Sequence, residues 1–533
     1  MIPLHVHSNY SILKGTSRIE ELIDEAKKNQ LSALALTDTN GMYGLIQFAK
    51  AAIECGIKPI LGCLIDQPED ESVYAILLAK NNDGYEDICK IITSRKLNDD
   101  FNLQTMLNGP LENLFVITPS IKLLERIGRK ENVYAELIIT NRNKNYAHKL
   151  YSFVVENKIK IVATNPIYFL QAEDYELHKA VSAIRLNKNL DNLLSEEIVD
   201  EEFYFRNLSE AEKIFRKIPE AVYNTEYIAE NCNVELRLNE YKFPLYTFKS
   251  GKNSFTLLWE KCFEGLNRRY SPLTEAAVNR LNMELQVIKE MNFTDYFLVV
   301  WDIVNEAKKR GMVTIGRGSA ANSIVSYCLG LTEVDPIKYN LYFERFLNKG
   351  RSSPPDVDID FSWKERDEIV KYVFEKYGYE NVAMISTTVT FRARSAFREV
   401  AKAYGFTNDE ISKYSKFIPW TDAKNLSNLS EMFPESRSLN FKVEPWKSIV
   451  KLASRLAGFP RHLSIHPGGI IITPKPITSY TALEYAKNKG LGLIITQPDM
   501  YSIEELGLVK IDLLSQRSLG VLRDTMDTIN KNS

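Results

Sequence analysis

The chain has 533 residues, 44% of them hydrophobic and 26% charged, with 67 Lys and Arg against 69 Asp and Glu for a formal net charge of −2. That length exceeds one hydrophobic core and implies roughly two to four domains, while the near-neutral balance leaves any nucleic-acid contact to local basic patches. No apolar run approaches the ~18 residues of a membrane span, and six scattered cysteines without a C-x-x-C pair argue against a zinc ribbon or a disulfide framework and fit a reducing, cytoplasmic setting. The opening "MIPLHVHSNY" has no basic segment before an apolar run, so no signal peptide is expected.

In chain order, "PLHVHSNYSILKG" (3–15) puts His5 and His7 on one face of a short predicted strand. Such a pair is either a metal site or two packed histidines. "SRIEELIDEAKKNQ" predicts a helix, opened by a Ser17–Glu20 capping box and carrying Ile19, Leu22, Ile23 and Ala26 on its apolar face. Predicted strands follow at 31–38, 58–65, 73–79, 114–120, 133–140 and 160–165, alternating with amphipathic stretches. Strand–helix alternation points to βαβ units in a mostly parallel sheet or barrel. From 172 to 310 the pattern is largely helical, with a join near 237–254 and two buried or half-buried helices in 278–293 and 296–311. There is no internal repeat and no low-complexity segment.

"VTIGRGSAANSIVSYCLG" (313–330) predicts a strand, a glycine turn and a helix opening near Ser319. Arg317, Gly318 and Ser319 could cradle an anion at that helix start, or the glycines could only close a tight turn. "SSPPDVDIDFSW" (352–363) alternates Asp356, Asp358 and Asp360 with Val357, Ile359 and Phe361. Three acids on one strand face with no Lys or Arg among them repel one another and are tolerated best around a cation. "FRARSAFREVAKAYGF" (391–406) spaces Arg394, Arg398 and Lys402 as a helical stripe, either solvated or facing a phosphate backbone. "GFPRHLSIHPGGIIIT" (458–473) adds Arg461, His462 and His466 ahead of a Gly-Gly turn, and "LGLVKIDLLSQ" (506–516) is a strand carrying Lys510 and Asp512. Asp512 is either an edge or paired acid, or the third carboxylate of a metal site begun upstream.

These stretches, in this order, resemble the C family of bacterial replicative DNA polymerases, the DNA polymerase III alpha subunits, across essentially the whole chain. "LHVHSNYSILKG", "ALALTDTNGMYG" and "GIKPILGC" are similar to that family's N-terminal polymerase-and-histidinol-phosphatase (PHP) domain; "IGRGSAANS", "PPDVDIDF", "RHLSIHPGGIIIT" and "LVKIDLL" are similar to its palm and thumb. The resemblance implies an α/β chain, a PHP-type (β/α) barrel followed by a polymerase-β-like nucleotidyltransferase palm with an inserted helical thumb. Its expected limits are 1–230 for the PHP domain, 231–390 and 468–517 for the palm, 391–467 for the thumb and 518–533 for the start of the fingers. It implies template-directed deoxynucleotide addition with two Mg2+ ions on Asp358, Asp360 and Asp512. Arg317, Gly318, Ser319 and Lys510 would lie at the triphosphate, and Arg394, Arg398, Lys402, Arg461 and His462 at the DNA backbone. Partners would be primer–template DNA, deoxynucleoside triphosphates and, through regions this chain lacks, a sliding clamp and other replisome subunits; no membrane is implied.

The chain departs from the family pattern in three places. Lys14 stands where an Asp is usual, Thr39 and Tyr74 where His is, Leu64 where Glu is, and Pro166 and Tyr168 where an Asp and a His are. His5, His7, Asp38 and His178 remain, too few for a metal cluster, so the PHP part is expected to be a metal-free support. Asn322 adds bulk where the loop usually has Gly, and the chain ends at Ser533, shortly after Asp512, as an N-terminal fragment or truncated relative would. The competing functions are a PHP phosphoesterase or 3′–5′ exonuclease, and a non-catalytic DNA-binding scaffold.

Overall fold

In a computed structural model the chain is described at all residues except 247–252, 351–354, 356, 487–491 and 533, so Asp356 of the acidic segment lies outside the described residues. The first sheet has six strands in sequential order: β1 (Ala33–Leu36), β2 (Lys58–Gln67), β3 (Asp70–Ala79), β4 (Leu114–Thr118), β5 (Val133–Ile138) and β6 (Lys160–Thr164). It is less parallel than the strand–helix alternation predicts, because β3 runs antiparallel to both β2 and β4. Only Pro68 and Glu69 separate β2 from β3, and so short a connection can join antiparallel strands but not parallel ones. Instead of a predicted strand, residues 3–7 form a bridge. Pro3 accepts from Ala35 N–H and Val6 from Thr37 N–H, while His7 N–H donates to Ile167 and His5 accepts from Ile167 N–H. The two edges of a half-barrel are thereby joined through the segment that carries His5 and His7.

The second sheet has the order β11-β12-β9-β10-β13-β8-β7. Its strands are β7 (Thr314–Arg317), β8 (Asp358–Ser362), β9 (Val382–Thr390), β10 (Pro460–Ile472), β11 (Leu483–Tyr485), β12 (Ile494–Asp499) and β13 (Lys510–Gln516). The two long helices predicted in 278–311 appear as Glu275–Glu290 and Thr294–Lys309 and cover one face of this sheet through Leu285, Ile288, Phe297 and Ile303. Between the antiparallel neighbours β9 and β10 lies a helical insertion whose core of Phe397, Val400, Ile411, Trp446 and Ile449 also takes in Leu177 and Val181 from the helix Tyr175–Leu186 of the first sheet's unit. Strand β10 starts at Pro460, inside the range expected for the thumb, because Pro460–Ile465 continue the ladder with β9 before a bulge. None of the described helices is long and apolar enough to cross a membrane.

The two sheets share a core. Ile46, from the helix after β1, packs with Ala383, Ile385 and Ile471 of the second sheet and with Leu508 just before β13. Gln497, fully buried on β12, accepts the Met42 N–H at 3.0 Å, and its amide faces Tyr43 and Glu484. Tyr43 also donates to Glu484 at 2.6 Å. Leaving a buried amide without an acceptor costs about 1–3 kcal/mol. The variant Gln497→Ala should therefore lower stability by about that amount, read as an earlier denaturant midpoint reported by both sheets; an unchanged midpoint would mean that water or a neighbour replaces the bond.

Candidate functional site

Strands β8 and β13 run parallel, with Asp358 opposite Asp512 and Asp360 opposite Leu514. Ile359, Phe361, Ile511 and Leu513 sit in the core beneath. The period of two therefore sends Asp358, Asp360 and Asp512 to the opposite face, close together. Asp360 and Asp512 are buried and Asp358 is half-buried. Two cations answer the three acids. Arg317, at the end of β7, places Nε 3.3 Å from Asp360 Oδ1 and 3.8 Å from Asp358 Oδ2, and Lys510 Nζ donates to Asp512 Oδ2 at 2.7 Å.

Asp512 Oδ1 is buried and takes no hydrogen bond among the described residues. His466 Nδ1 lies 3.6 Å away but already accepts the Gly469 N–H at 2.7 Å, so that nitrogen carries no proton to donate to the carboxylate. The Gly-Gly turn makes this possible: a Cβ on Gly469 would stand 2.7 Å from that same ring nitrogen. A buried carboxylate oxygen with no donor, beside two more acids, is an oxygen-only donor set of the kind hard divalent ions take. Among the described residues no three acidic, His or Cys groups already converge on one point, and Arg317 and Lys510 pair with the carboxylates. The donor set fits a divalent ion that displaces those two cations.

The glycine loop differs from its sequence reading. Gly318–Asn322 form a short 3-10 turn, and the following helix, Ile324–Cys328, opens at Ser323 rather than near Ser319. Ser323 caps that boundary, its Oγ accepting the Ser326 N–H at 3.1 Å, and buried Glu284 backs the cap. Glu284 accepts from Ser323 Oγ at 2.7 Å and Val325 N–H at 3.2 Å, so this helix start is closed by a carboxylate of the protein and offers no cradle to an outside anion. Burial raises the Glu284 pKa against its hydrogen bonds from Arg280 and Ser323. What remains for an anion is the exposed turn itself. Arg317 and Gly318 face solvent, Gly318 has φ +72°, and Gly316 lies so close to the chain that a Cβ would stand 2.0 Å from Leu331 O.

The basic groups expected at a DNA backbone are tied down within the protein. Arg394 donates twice to Ile418 O, at 3.0 and 2.6 Å; Arg398 donates to Ser415 Oγ at 3.0 Å; Lys402 lies 3.5 Å from Glu399, and Arg461 donates to Glu399 at 2.9 Å. His462 is held below its usual pKa by partial burial and by Arg461, and both residues line a cavity of about 540 Å3 against Lys14 and Arg95 of the first sheet's unit. The stripe on Ala393–Ala403 is in part a set of helix-to-helix ties.

In the first sheet the four remnant residues do not form one cluster. His5 Nδ1 lies 2.6 Å from Glu136 Oε1 and its Nε2 lies 2.9 Å from His7 Nε2; His7 stacks on Tyr168 at 4.0 Å. Asp38 accepts from Ser8 N–H, Ser8 Oγ and Ser11 Oγ, and burial still raises its pKa to about 6. Glu136, absent from the sequence reading, also accepts from Tyr74 and Thr164; its signal was a lone acid in the apolar run "VYAELIIT". His178 stands apart. Its Nδ1 donates to Lys14 O at 2.9 Å while Nε2 accepts the Val199 N–H, and Lys14 Nζ donates to Glu71 at 2.8 Å. These acids are saturated by protein hydroxyls and amides, and Lys14 adds a fixed cation, so the set does not fit a metal cluster.

Residues 256–515 match the family model of the bacterial DNA polymerase III alpha NTPase domain, and residues 3–122 match that of the PHP domain. The chain belongs to the bacterial DNA polymerase III alpha family. It is 34% identical to the DNA polymerase III subunit alpha of Bacillus subtilis (strain 168), over 99% of this chain and 49% of that protein. The Error-prone DNA polymerase of Symbiobacterium thermophilum is 33% identical over 99% of this chain and 52% of its own length, and the alpha subunit of Escherichia coli (strain K12) is 32% identical over 99% and 49%. The chain spans about half the length of the curated relatives it matches.

Burial lowers the His178 pKa to about 4. The unfolded chain binds this proton near pH 6.5 and the folded one does not, so His178 costs stability progressively as pH falls from about 6.5 towards 4. Thermal unfolding of His178→Asn should show a flatter fall of Tm over that window than the parent; equal slopes would mean that His178 titrates freely in the folded protein.

Proposed function

We propose that this chain carries the catalytic face of a DNA-directed DNA polymerase, adding deoxynucleotides to a primer 3′-hydroxyl under template direction. The observation that carries the reading is the β8–β13 register, which sets Asp512 beside Asp358 with Asp360 on the same face and leaves Asp512 Oδ1 without a donor. The family supports metal dependence in general; we assign two Mg2+ ions to Asp358, Asp360 and Asp512. When bound, such ions lower the pKa of the attacking hydroxyl and neutralise phosphate charge. The protein's own part is positional. The strand pairing fixes the three carboxylates relative to one another, and Arg317 and Lys510, freed from them, are placed to meet the triphosphate. Gly318 and Ser319 supply the turn it would lie against. Substrates are then primer–template DNA and deoxynucleoside triphosphates, with a sliding clamp and other replisome subunits as partners of the longer polypeptide in a cytoplasmic setting.

In this reading residues 1–230 are a PHP unit that supports the palm without hydrolytic chemistry. The palm comprises 231–390 and 468–517, the thumb 391–467, and 518–533 begin the fingers. Supplied with the further half found in its relatives, the protein should extend primers with Mg2+, and Asp360→Asn or Asp512→Asn should lower that rate by about a hundredfold or more with folding intact. Near-normal extension by either folded variant would remove the assignment. The same preparation should show no Zn2+- or Mn2+-dependent degradation of single-stranded DNA. A nuclease activity that disappears in His5→Ala/His7→Ala would instead favour the hydrolase reading.

A further inference from the structure

A second cationic site lies behind the glycine loop, away from the acidic face. Helices Ser254–Arg269, Thr294–Lys309 and Ile324–Cys328 border a polar cavity of about 560 Å3, lined by Lys261, Arg268, Arg269 and Lys308 together with Trp301 and Asn305. Glu264 is the one acid among the described lining residues. The bland account is helix capping: Arg268 reaches Cys328 O at 3.4 Å and Lys308 reaches Gly330 O at 2.7 Å, both at the carbonyl end of Ile324–Cys328. Capping accounts for two cations of the four. Among the described residues Lys261 and Arg269 pair with the largely exposed Glu264 and Glu333 and lie over the Trp301 and Tyr327 rings, and ion pairs of that kind hold their charges weakly. Arg269 Nε is buried with no hydrogen-bond partner.

We propose that this cavity binds a short polyphosphate, either free or as the tail of a nucleotide. The chemistry follows from the lining. Two guanidinium forks and two ammonium groups within one concave surface match an extended chain of phosphate oxygens, and charge-assisted bonds of this type are stronger than those the cations now make to backbone carbonyls. Burial, opposed by Glu333 and reinforced by Arg269 and Arg268, holds the Lys308 ammonium below its usual pKa. Trp301, half-buried at the wall with Lys261 Nζ 5.8 Å from its ring centroid, gives a base an aromatic surface to stack on if that ammonium turns to the phosphates.

The test is calorimetric titration with inorganic triphosphate, without divalent ions, of protein carrying Arg317→Gln and Lys510→Gln so that the acidic site contributes no cations. A single saturable site is expected. Arg268→Gln and Lys308→Gln should each weaken it about tenfold or more, and the more exposed Lys261→Gln should weaken it in the same direction if either of those fails to fold. Arg461→Gln, in the other basic cavity, should leave it unchanged. ATP in parallel distinguishes the sources: equal affinity assigns the phosphate chain alone, and tighter binding that is lost in Trp301→Ala assigns a nucleotide. No saturable binding, or binding that survives Arg268→Gln and Lys261→Gln but disappears in Arg461→Gln, would overturn the proposal.

Discussion

Parallel pairing of β8 with β13 is the constraint on which the rest of the second sheet turns. The pairing buries Ile359, Phe361, Ile511 and Leu513 on one face, and burial of side chains of this size is worth about 1.5–3 kcal/mol each. Slipping the register by one residue would send those side chains to solvent and the carboxylates into the core. The hydrophobic face therefore holds three like charges together that would separate if free. Arg317 and Lys510 relieve the repulsion without satisfying every oxygen, and Asp512 Oδ1 is the residue of that imbalance.

The two halves of the molecule show opposite treatments of similar side chains. In the first sheet, Glu136 and Asp38 are surrounded by Tyr, Thr and Ser hydroxyls that use up their lone pairs. In the second, Asp512 lies beside a histidine whose nearer nitrogen is committed to a backbone amide. Counting acids and histidines in the sequence cannot tell these environments apart. The hydroxyl donors and the Gly-Gly amides decide, and they arrive from other strands.

Much of the candidate site was legible because it depends on local periodicity. The alternation of Asp358 and Asp360 with Ile359 and Phe361 dictates a two-faced strand whatever lies next to it, and the same holds for Lys510 and Asp512. Features set at long range were not legible. The helix after the glycine loop opens at Ser323, whose own Oγ accepts the Ser326 N–H. It is Glu284, some forty residues earlier, that takes the Ser323 hydroxyl and the Val325 N–H and closes that turn to an outside anion. Arg394 and Arg398 have the spacing of a solvated stripe, yet their partners Ile418 and Ser415 come from beyond the next turn. The antiparallel β2–β3 hairpin was not legible either, because both strands run past the predicted limits of 58–65 and 73–79 and only then leave a two-residue connection.

The helical insertion leaves the sheet at Thr390 and returns at Pro460, and these two residues are direct partners across β9 and β10. Its departure and return share one point, so a rotation of the whole insertion about that point need not disturb the ladder. What restrains such a rotation is the first sheet's unit: Leu177 and Val181, on the helix Tyr175–Leu186, are buried in the insertion's core, Arg18 donates to Ala457 O at 2.5 Å, and Arg455 pairs with Asp174. Both polar ties are partly exposed to solvent, and exposed pairs are worth about 0–1 kcal/mol. The insertion is thus joined to its sheet at a single pivot and seated on the opposite domain by a buried apolar contact, with the two polar ties at the margin of that seat.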